Sequence, residues 1–447
     1  MTSLNEPAQP TDPAARAVLE RLPTLTHRGL IVNSPPGAGK STLVTHAAGV
    51  LTRPGAPCIV IAQTNSQVDD LVRRLLHLHP HLSIARLSAA EYTVPDDLRT
   101  QPRVRVSTRV QDLTAADVIV GTASKWTTVT GRRWSWAIID EAYQMRSAAL
   151  LRAADLFDQA LFVGDPGQLD PFTEIDTSRW RGLPHDPVNS AAAVVRDKNR
   201  DLPVHTLHVS WRLSPSAVPL ISKAFYPSAP FHAGTREADR ALTFTIKGIH
   251  THRLDTTIEH AARTGWALLE LPARTTHRID LEALHTILGL AERLLFRSAT
   301  ITSELDPRGR DLRPDDIAIG TAHSDQAHRL RSLLAQHYPR LHGATVDTAN
   351  RLQGHESSVT LLLHPLSGRR DASAFHLEPG RLCVLTSRHR HACIVVARAG
   401  IADLLDTHPG DEPVHLGVAP RNPDGWEAHH TVLAHLAEHT IRTQDRA

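Results

Sequence analysis

The strongest constraint on this chain is a pattern that occurs twice. Short apolar runs, β-rich and ending in a small or acidic residue, alternate with stretches of helical spacing. In the first half these runs are "GLIVN" (29–33), "APCIVIAQT" (56–64), "ADVIVGTAS" (116–124), "WAIIDEA" (136–142) and "ALFVGDP" (160–166). In the second half they are "DIAIGTAHS" (316–324), "ATVDTANRLQG" (344–354), "SVTLLLHP" (358–365) and "RLCVLTS" (381–387). Strands that alternate with helices form parallel sheets covered on both faces, and ligands collect at the strands' C-terminal ends. The pattern therefore predicts an α/β chain of two α/β domains in tandem.

The expected boundaries follow from the same pass. A polar lead-in covers 1–13, and a first domain covers 14–172 with a small insertion at about 75–115, where "RVRVSTRVQ" (103–111) reads as a basic strand. A connection covers 173–204, a second domain 205–405, and a tail 406–447 holds one closing helix in "GWEAHHTVLAHLAEHTI".

Composition narrows the partners. A formal net charge of +2 over 447 residues gives no general attraction to polyanions, so a nucleic-acid groove has to be a local concentration of Arg. Cys58, Cys383 and Cys393 form no CxxC pair, which points to a reducing, cytoplasmic setting. The lead-in lacks a signal peptide's apolar core, and no apolar run approaches the roughly 20 residues that span a bilayer, so no membrane is expected.

The chemistry centres on "NSPPGAGKST" (33–42), between a predicted strand and a predicted helix. A loop of this kind wraps phosphates in backbone N–H groups, while its Lys reaches the terminal phosphates and its hydroxyl binds Mg²⁺. Pro36, Gly37, Ala38, Gly39, Lys40, Ser41 and Thr42 supply these parts for ATP, with Ser34 in place of the first glycine of the usual pattern. Asp140 and Glu141 end the run "WAIID". An Asp there can hold Mg²⁺ with Ser41, and an adjacent Glu can orient and deprotonate the attacking water. Two carboxylates at the end of a buried strand are costly without a cation.

With "DEAYQ" (140–144) and "VGDPGQL" (163–169) added, the chain resembles the superfamily 1 helicases, of AAA-type P-loop and DEAxQ type with two RecA-like domains. Its nearest likeness is the branch of the nonsense-mediated-decay helicase and its DNA-replication relatives. The likeness runs in order through "IAQTNSQVDDL" (61–71), "ADVIVGTAS", "VSWRLSPSAVPLISKAFY" (209–226), "TAHSDQAHRL" (321–330), "VDTANRLQGHESSVTLLL" (346–363) and "RLCVLTSRHR" (381–390), and covers roughly residues 14 to 400.

The resemblance implies an ATP-dependent helicase or translocase on single-stranded DNA or RNA, with ATP in a cleft between the RecA-like domains. It implies that Gln168 senses the γ-phosphate and that Arg212 and Arg388 act as arginine fingers. Gln353, Gly354 and Glu356 would couple nucleotide to strand, with Gly354 and Glu356 on the ATP side and Gln353 toward the nucleic acid. Thr64, Asn65, Thr122, Ser124 and Thr348 would touch the strand's backbone. Polarity, by the same likeness, would be five-prime to three-prime.

The chain also departs from the pattern. An adenine-contacting Gln belongs near Ala14, whereas the nearest is Gln9; Cys383 and Ser387 replace Asn and Thr, and Ser324 stands where Arg is frequent. Few residues precede the loop, which leaves no room there for an accessory barrel and points to a separate protein subunit as a second partner. An alternative is a nucleotide-gated switch controlling a partner protein without unwinding; Glu141, Arg212 and Arg388 together favour turnover. His389, His391 and Cys393 alternate along one strand face as metal ligands can, but Arg388 and Arg390 have the better claim on that region.

Overall fold

The computed structural model describes residues 12–53, 55–171, 176–180, 183, 186–249, 252–304, 306–408 and 424–442. The chain divides into two compact units, Met1–Pro166 with Asp170–His208, and Gly167–Leu169 with Val209–Ala447.

Among the described residues the first unit holds eight strands: β1 (Gly29–Asn33), β2 (Cys58–Ala62), β3 (Ile84–Leu87), β4 (Val104–Ser107), β5 (Val118–Thr122), β6 (Trp134–Ile139), β7 (Phe157–Gly164) and β8 (Val204–Thr206). They form one parallel sheet in the order β4-β3-β5-β2-β6-β7-β1-β8. Alternate residues feed two cores, as the period of a strand requires. Leu30, Val60 and Ile138 pack with Val44 and Leu71 of helices Lys40–Leu51 and Asn65–Leu78. Ile31, Ile61 and Ile139 pack on the opposite face with Leu150 and Ala192.

In the second unit, β9 (Val209–Ser210) pairs with β10 (His232–Ala233), and β11 (Ala241–Phe244) opens a small antiparallel sheet. Next come β12 (Trp266–Leu271), β13 (Ala299–Thr302) and β14 (Arg310–Asp311), of which the last two complete the antiparallel sheet. β15 (Ile317–Thr321), β16 (Thr345–Thr348), β17 (Ser357–Leu363), β18 (His389–Arg398) and β19 (Thr440–Arg442) follow. The main sheet is again parallel, in the order β16-β15-β17-β18-β12-β19. The fold is α/β, two tandem RecA-like domains.

Two local expectations give way. The run 381–387, expected as a strand, lies in the helix Pro379–Thr386, and the strand starts at His389. Gly380 to Thr386 are all buried, so the run has no polar face from which a period can be read. Pro379 at the first helical turn sets the helix start. A Cβ on Gly380 would meet backbone atoms of Gln168 and Leu169 at 2.7 Å, a close approach that ties 167–169 to the second unit. The stretch 173–204, expected as a connection, carries helix Ala191–Lys198 and leads into β8, which extends the first sheet beside β1. Residues 172–175, 181, 182, 184 and 185 lie outside the described residues. The tail supplies the closing helix Gly425–Ala437 and also β19, an edge strand that only its pairing with β12 reveals.

Candidate functional site

β1 delivers the loop. The Ser34 N–H donates to the Gly164 carbonyl at 2.9 Å, and the residue is fully buried. Left-handed backbone falls at Gly37 (φ 75°) and Gly39 (φ 86°), not at Ser34. A serine there therefore costs no strain, whereas a side chain at Gly37 or Gly39 would. Gly39 caps the helix that begins at Lys40. Pro36 and Ala38 are buried in the turn, and Ser41 and Thr42 occupy the first helical turn, where unpaired N–H groups favour an anion.

Lys40 Nζ lies 3.1 Å from Glu141 Oε1 and 3.9 Å from Asp165 Oδ2. Asp165 was absent from the expected set; its signal is the acidic residue that ends the run "ALFVGDP". Glu141 has φ 50°, a left-handed conformation rare outside glycine that costs on the order of 1–3 kcal/mol. The turn is held by Asp140 N–H to the Ile61 carbonyl and Ala142 N–H to the Val163 carbonyl, each 2.9 Å. Gly164 lies so close beneath it that a Cβ would sit 3.0 Å from the backbone nitrogens of Ala142 and Tyr143.

Burial pushes the Asp140 carboxyl well above its ordinary range; the Glu141 charge adds to this and Lys40 opposes it. Glu141 Oε2 is buried without a hydrogen-bond partner among the described residues. Oxygen donors in this condition suit a hard divalent cation that takes its other ligands from phosphate and water. No group of three His, Cys, Asp or Glu side chains among the described residues could hold a metal by itself. Of the alternating His389, His391 and Cys393, His391 Nε2 lies 2.8 Å from the Thr302 carbonyl.

The second unit groups the remaining expected residues in pairs. Gln353 donates to Gln168 Oε1 at 3.0 Å. Arg212 Nε donates to Glu356 Oε2 at 3.0 Å, and Arg390 reaches Glu356 at 3.5 Å and Glu304 at 3.1 Å. Arg240, not expected from sequence, bonds Glu304 and the Arg212 carbonyl and so fixes the segment that carries Arg212. Arg388 is 1% exposed, and its guanidinium donates to the Val384 carbonyl at 3.1 Å, Ser387 Oγ at 2.9 Å and the His355 carbonyl at 3.4 Å. Gly354 takes φ 82°, which permits the sharp exit before Glu356.

The expected strand-contacting hydroxyls also cap helices. Thr64 accepts from Gln67 N–H at 3.3 Å, and Thr122 accepts from Lys125 N–H at 3.3 Å while lying 3.2 Å from Ser124 Oγ. Thr348 precedes helix Ala349–Leu352. Asn65 is oriented from below. Its Oδ1 accepts from the fully buried Arg86 at 2.9 Å, and Arg86 also binds Asp69 at 3.0 Å, whose other oxygen accepts from Tyr92 at 2.6 Å. Sequence spacing gave no sign of this network, because its members come from a helix, a strand and a loop. Ala14 lies on helix Pro13–Arg21, and Gln9 is outside the described residues.

Family models described as AAA domain match residues 11–199 and 192–400, one on each half of the chain. The DNA replication ATP-dependent helicase/nuclease DNA2 of Gallus gallus is 21% identical over 372 residues, 81% of this chain and 34% of that protein. The chain belongs to the superfamily 1 helicases. The Saccharomyces cerevisiae DNA2 protein is 25% identical over 156 residues, 33% of this chain and 10% of its own length. This superfamily 1 chain thus spans about a third or less of the curated relatives it matches. The arterivirus nonstructural protein 10 helicase in complex with DNA aligns at 14% identity and a TM-score of 0.44, over 88% of this chain and 64% of that one. A likeness that low bears on neither the activity nor the site here. No helix among the described residues is long and apolar enough to cross a membrane.

Proposed function

We propose that this protein is an ATP-dependent helicase or translocase that moves on single-stranded nucleic acid, in a reducing, cytoplasmic setting suited to its three buried free cysteines. The observation that carries the reading is Lys40, bracketed by Glu141 and Asp165 behind the turn formed by Gly37 and Gly39. Phosphoryl transfer needs little covalent help; it needs positioning and neutralisation of charge. Lys40 and the first-turn N–H groups hold the terminal phosphates of ATP. Asp140 and Ser41 would hold Mg²⁺, which when bound neutralises phosphate charge. Glu141 orients the attacking water and takes its proton, and Gln168 senses the γ-phosphate. Arg212 and Arg388 supply positive charge to the transition state, with Gly354 and Glu356 near the nucleotide. Thr64, Asn65, Thr122, Ser124, Thr348 and Gln353 hold the strand by its sugar-phosphate backbone, a mode blind to sequence.

Steady-state ATP hydrolysis by the purified chain, with and without single-stranded DNA or RNA, tests this. Strong stimulation by one polymer is expected and names the track. Measurable turnover indifferent to both polymers would replace the motor with a nucleotide-gated switch, and no turnover would overturn the hydrolytic site.

A further inference from the structure

Besides its parallel sheet, the second unit carries the small antiparallel sheet β11-β13-β14. One end of this sheet meets the segment that bears Arg212. Arg240 immediately precedes β11, and Glu304 lies two residues beyond β13. The register of the ladder, with Ala241 opposite Thr302, brings the two side chains together. Arg240 then engages all five of its N–H groups. Its Nε donates to Glu304 Oε2 at 2.9 Å, and its Nη2 donates to Glu304 Oε1 and, at 2.7 Å, to the Trp211 carbonyl. Its Nη1 donates to the Arg212 carbonyl and, at 3.4 Å, to the Arg390 carbonyl. The side chain is 3% exposed. The hydrogen bond from Arg240 holds the Glu304 carboxyl down at about 2, so the pair is ionised at neutral pH.

The main chain is what this cation grips. β9 ends at Ser210, so its ladder with β10 stops just before Trp211 and Arg212. The Gly234 N–H still donates to the Ser210 carbonyl at 2.8 Å, and the Trp211 ring lies over Gly234, where a Cβ would meet it at 2.6 Å. Past that point the carbonyls of Trp211 and Arg212 are both taken by Arg240. The guanidinium of Arg212 is held separately, by Glu356. Arg390 links Glu356 back to Glu304, so the contacts close a ring through Arg240, Glu304, Arg390, Glu356 and Arg212. Arg388 differs, being held by its own bonds to Val384, Ser387 and His355. A buried ion pair returns little net stability for its desolvation cost. Misplacing a reacting group by about 1 Å, by contrast, costs about 10²-fold in rate.

We infer that the small antiparallel sheet braces the ATP site, and that Arg240, anchored by Glu304, is a positioning residue that sets Arg212 for hydrolysis through its backbone. This rests on the reading of Arg212 as a positive charge supplied to the transition state.

The test is a double-mutant cycle on hydrolysis of radiolabelled ATP by the full chain, without polynucleotide. Arg240→Lys keeps the charge, but a single ammonium cannot span two carbonyls and both Glu304 oxygens. Its kcat should fall by about 10²-fold, with KM for ATP little changed. In the Arg212→Ala background the same substitution should cost no further rate, because the group it positions is gone. An added loss as large as in the wild-type background would overturn the proposal and make Arg240 structural; so would a wild-type kcat in Arg240→Lys. Glu304 is exposed, so Glu304→Gln supplies a second variant that keeps the fold. It should give a smaller loss of kcat, again absent when Arg212 is alanine, and a loss that persists there would count equally against the brace. If Arg212→Ala alone hydrolyses ATP at the wild-type rate, the reading of Arg212 fails and the positioning role falls with it. A wild-type chain without turnover would remove both.

Discussion

In the first unit the ends of β6 and β7 carry buried carboxylates, with Asp140, Glu141 and Asp165 at 5%, 6% and 1% exposure around a single Lys40. In the second unit the same kind of parallel sheet carries arginines. Arg212, Arg240 and Arg390 gather on Glu304 and Glu356. The carboxylates sit at the C-terminal end of the first sheet, whereas Arg390 and Glu356 sit where β18 and β17 begin, the N-terminal end of the second. The first end is suited to holding a cation and activating water, and the arginine clusters to meeting negative charge. The fold alone would not distinguish them.

The largest expected effect tests the acidic edge. Glu141→Gln keeps the shape and removes the base, so ATP hydrolysis should fall by about 10⁴-fold while nucleotide stays bound. Near-normal turnover in a single-turnover assay would remove Glu141 from that role and with it much of the contrast. The arginines where β18 begins are tested by Arg388→Ala, expected to slow hydrolysis by about 10³-fold with little change in nucleotide affinity. Because Arg388 bonds three neighbours in its own unit, Arg388→Lys serves as the companion: rescued stability with hydrolysis still slow supports a charge-delivering role, and rescue of both would make the residue structural.

A smaller effect sharpens the comparison through pH. Asp140 is held above the ordinary value of 3.8, so the folded chain binds this proton more tightly than the unfolded chain. Stability is then lost as pH rises from about 4 through the folded value. Asp255 is the opposite case: its hydrogen bonds with Arg293 hold its carboxyl down at about 2. It contributes stability that is present above 3.8 and lost as pH falls toward 2. Urea midpoints at neutral pH should therefore rise for Asp140→Asn and fall for Asp255→Asn, the latter by about 3 kcal/mol because it removes the buried partner of Arg293 and leaves Arg297 with Glu259 alone. The Asp140 difference should shrink as the pH is lowered toward 4, and the Asp255 difference only as the pH falls below about 4 toward 2. Changes of the same sign would show that the two carboxylates are not differently used.

Much of the acidic edge was legible beforehand, because its parts are contiguous. A strand, a glycine turn and a lysine fall within residues 29–40, and a strand end carries Asp140 and Glu141 together. Asp165 was visible in "VGDPGQL" but unassigned, since only folding brings it to Lys40. The arginine clusters of the second unit were mostly illegible. Arg240 with Glu304 and Arg398 with Asp280 join positions far apart in sequence, which spacing rules do not reach. The helix Pro379–Thr386 was misread because a segment buried on every side carries no period.

The sequence by itself determined the α/β alternation, the phosphate loop and the superfamily, because each depends on neighbours in the chain. It also explains why Ser34 is tolerated only in part; the backbone angles had to show that the left-handed turns fall at Gly37 and Gly39. Tertiary structure alone decided that 167–169 joins the second unit, that β19 closes its sheet, and that Arg240 takes the carbonyls of Trp211 and Arg212. Those features are set by packing and charge pairing between distant segments, and such contacts exist only once the chain has folded.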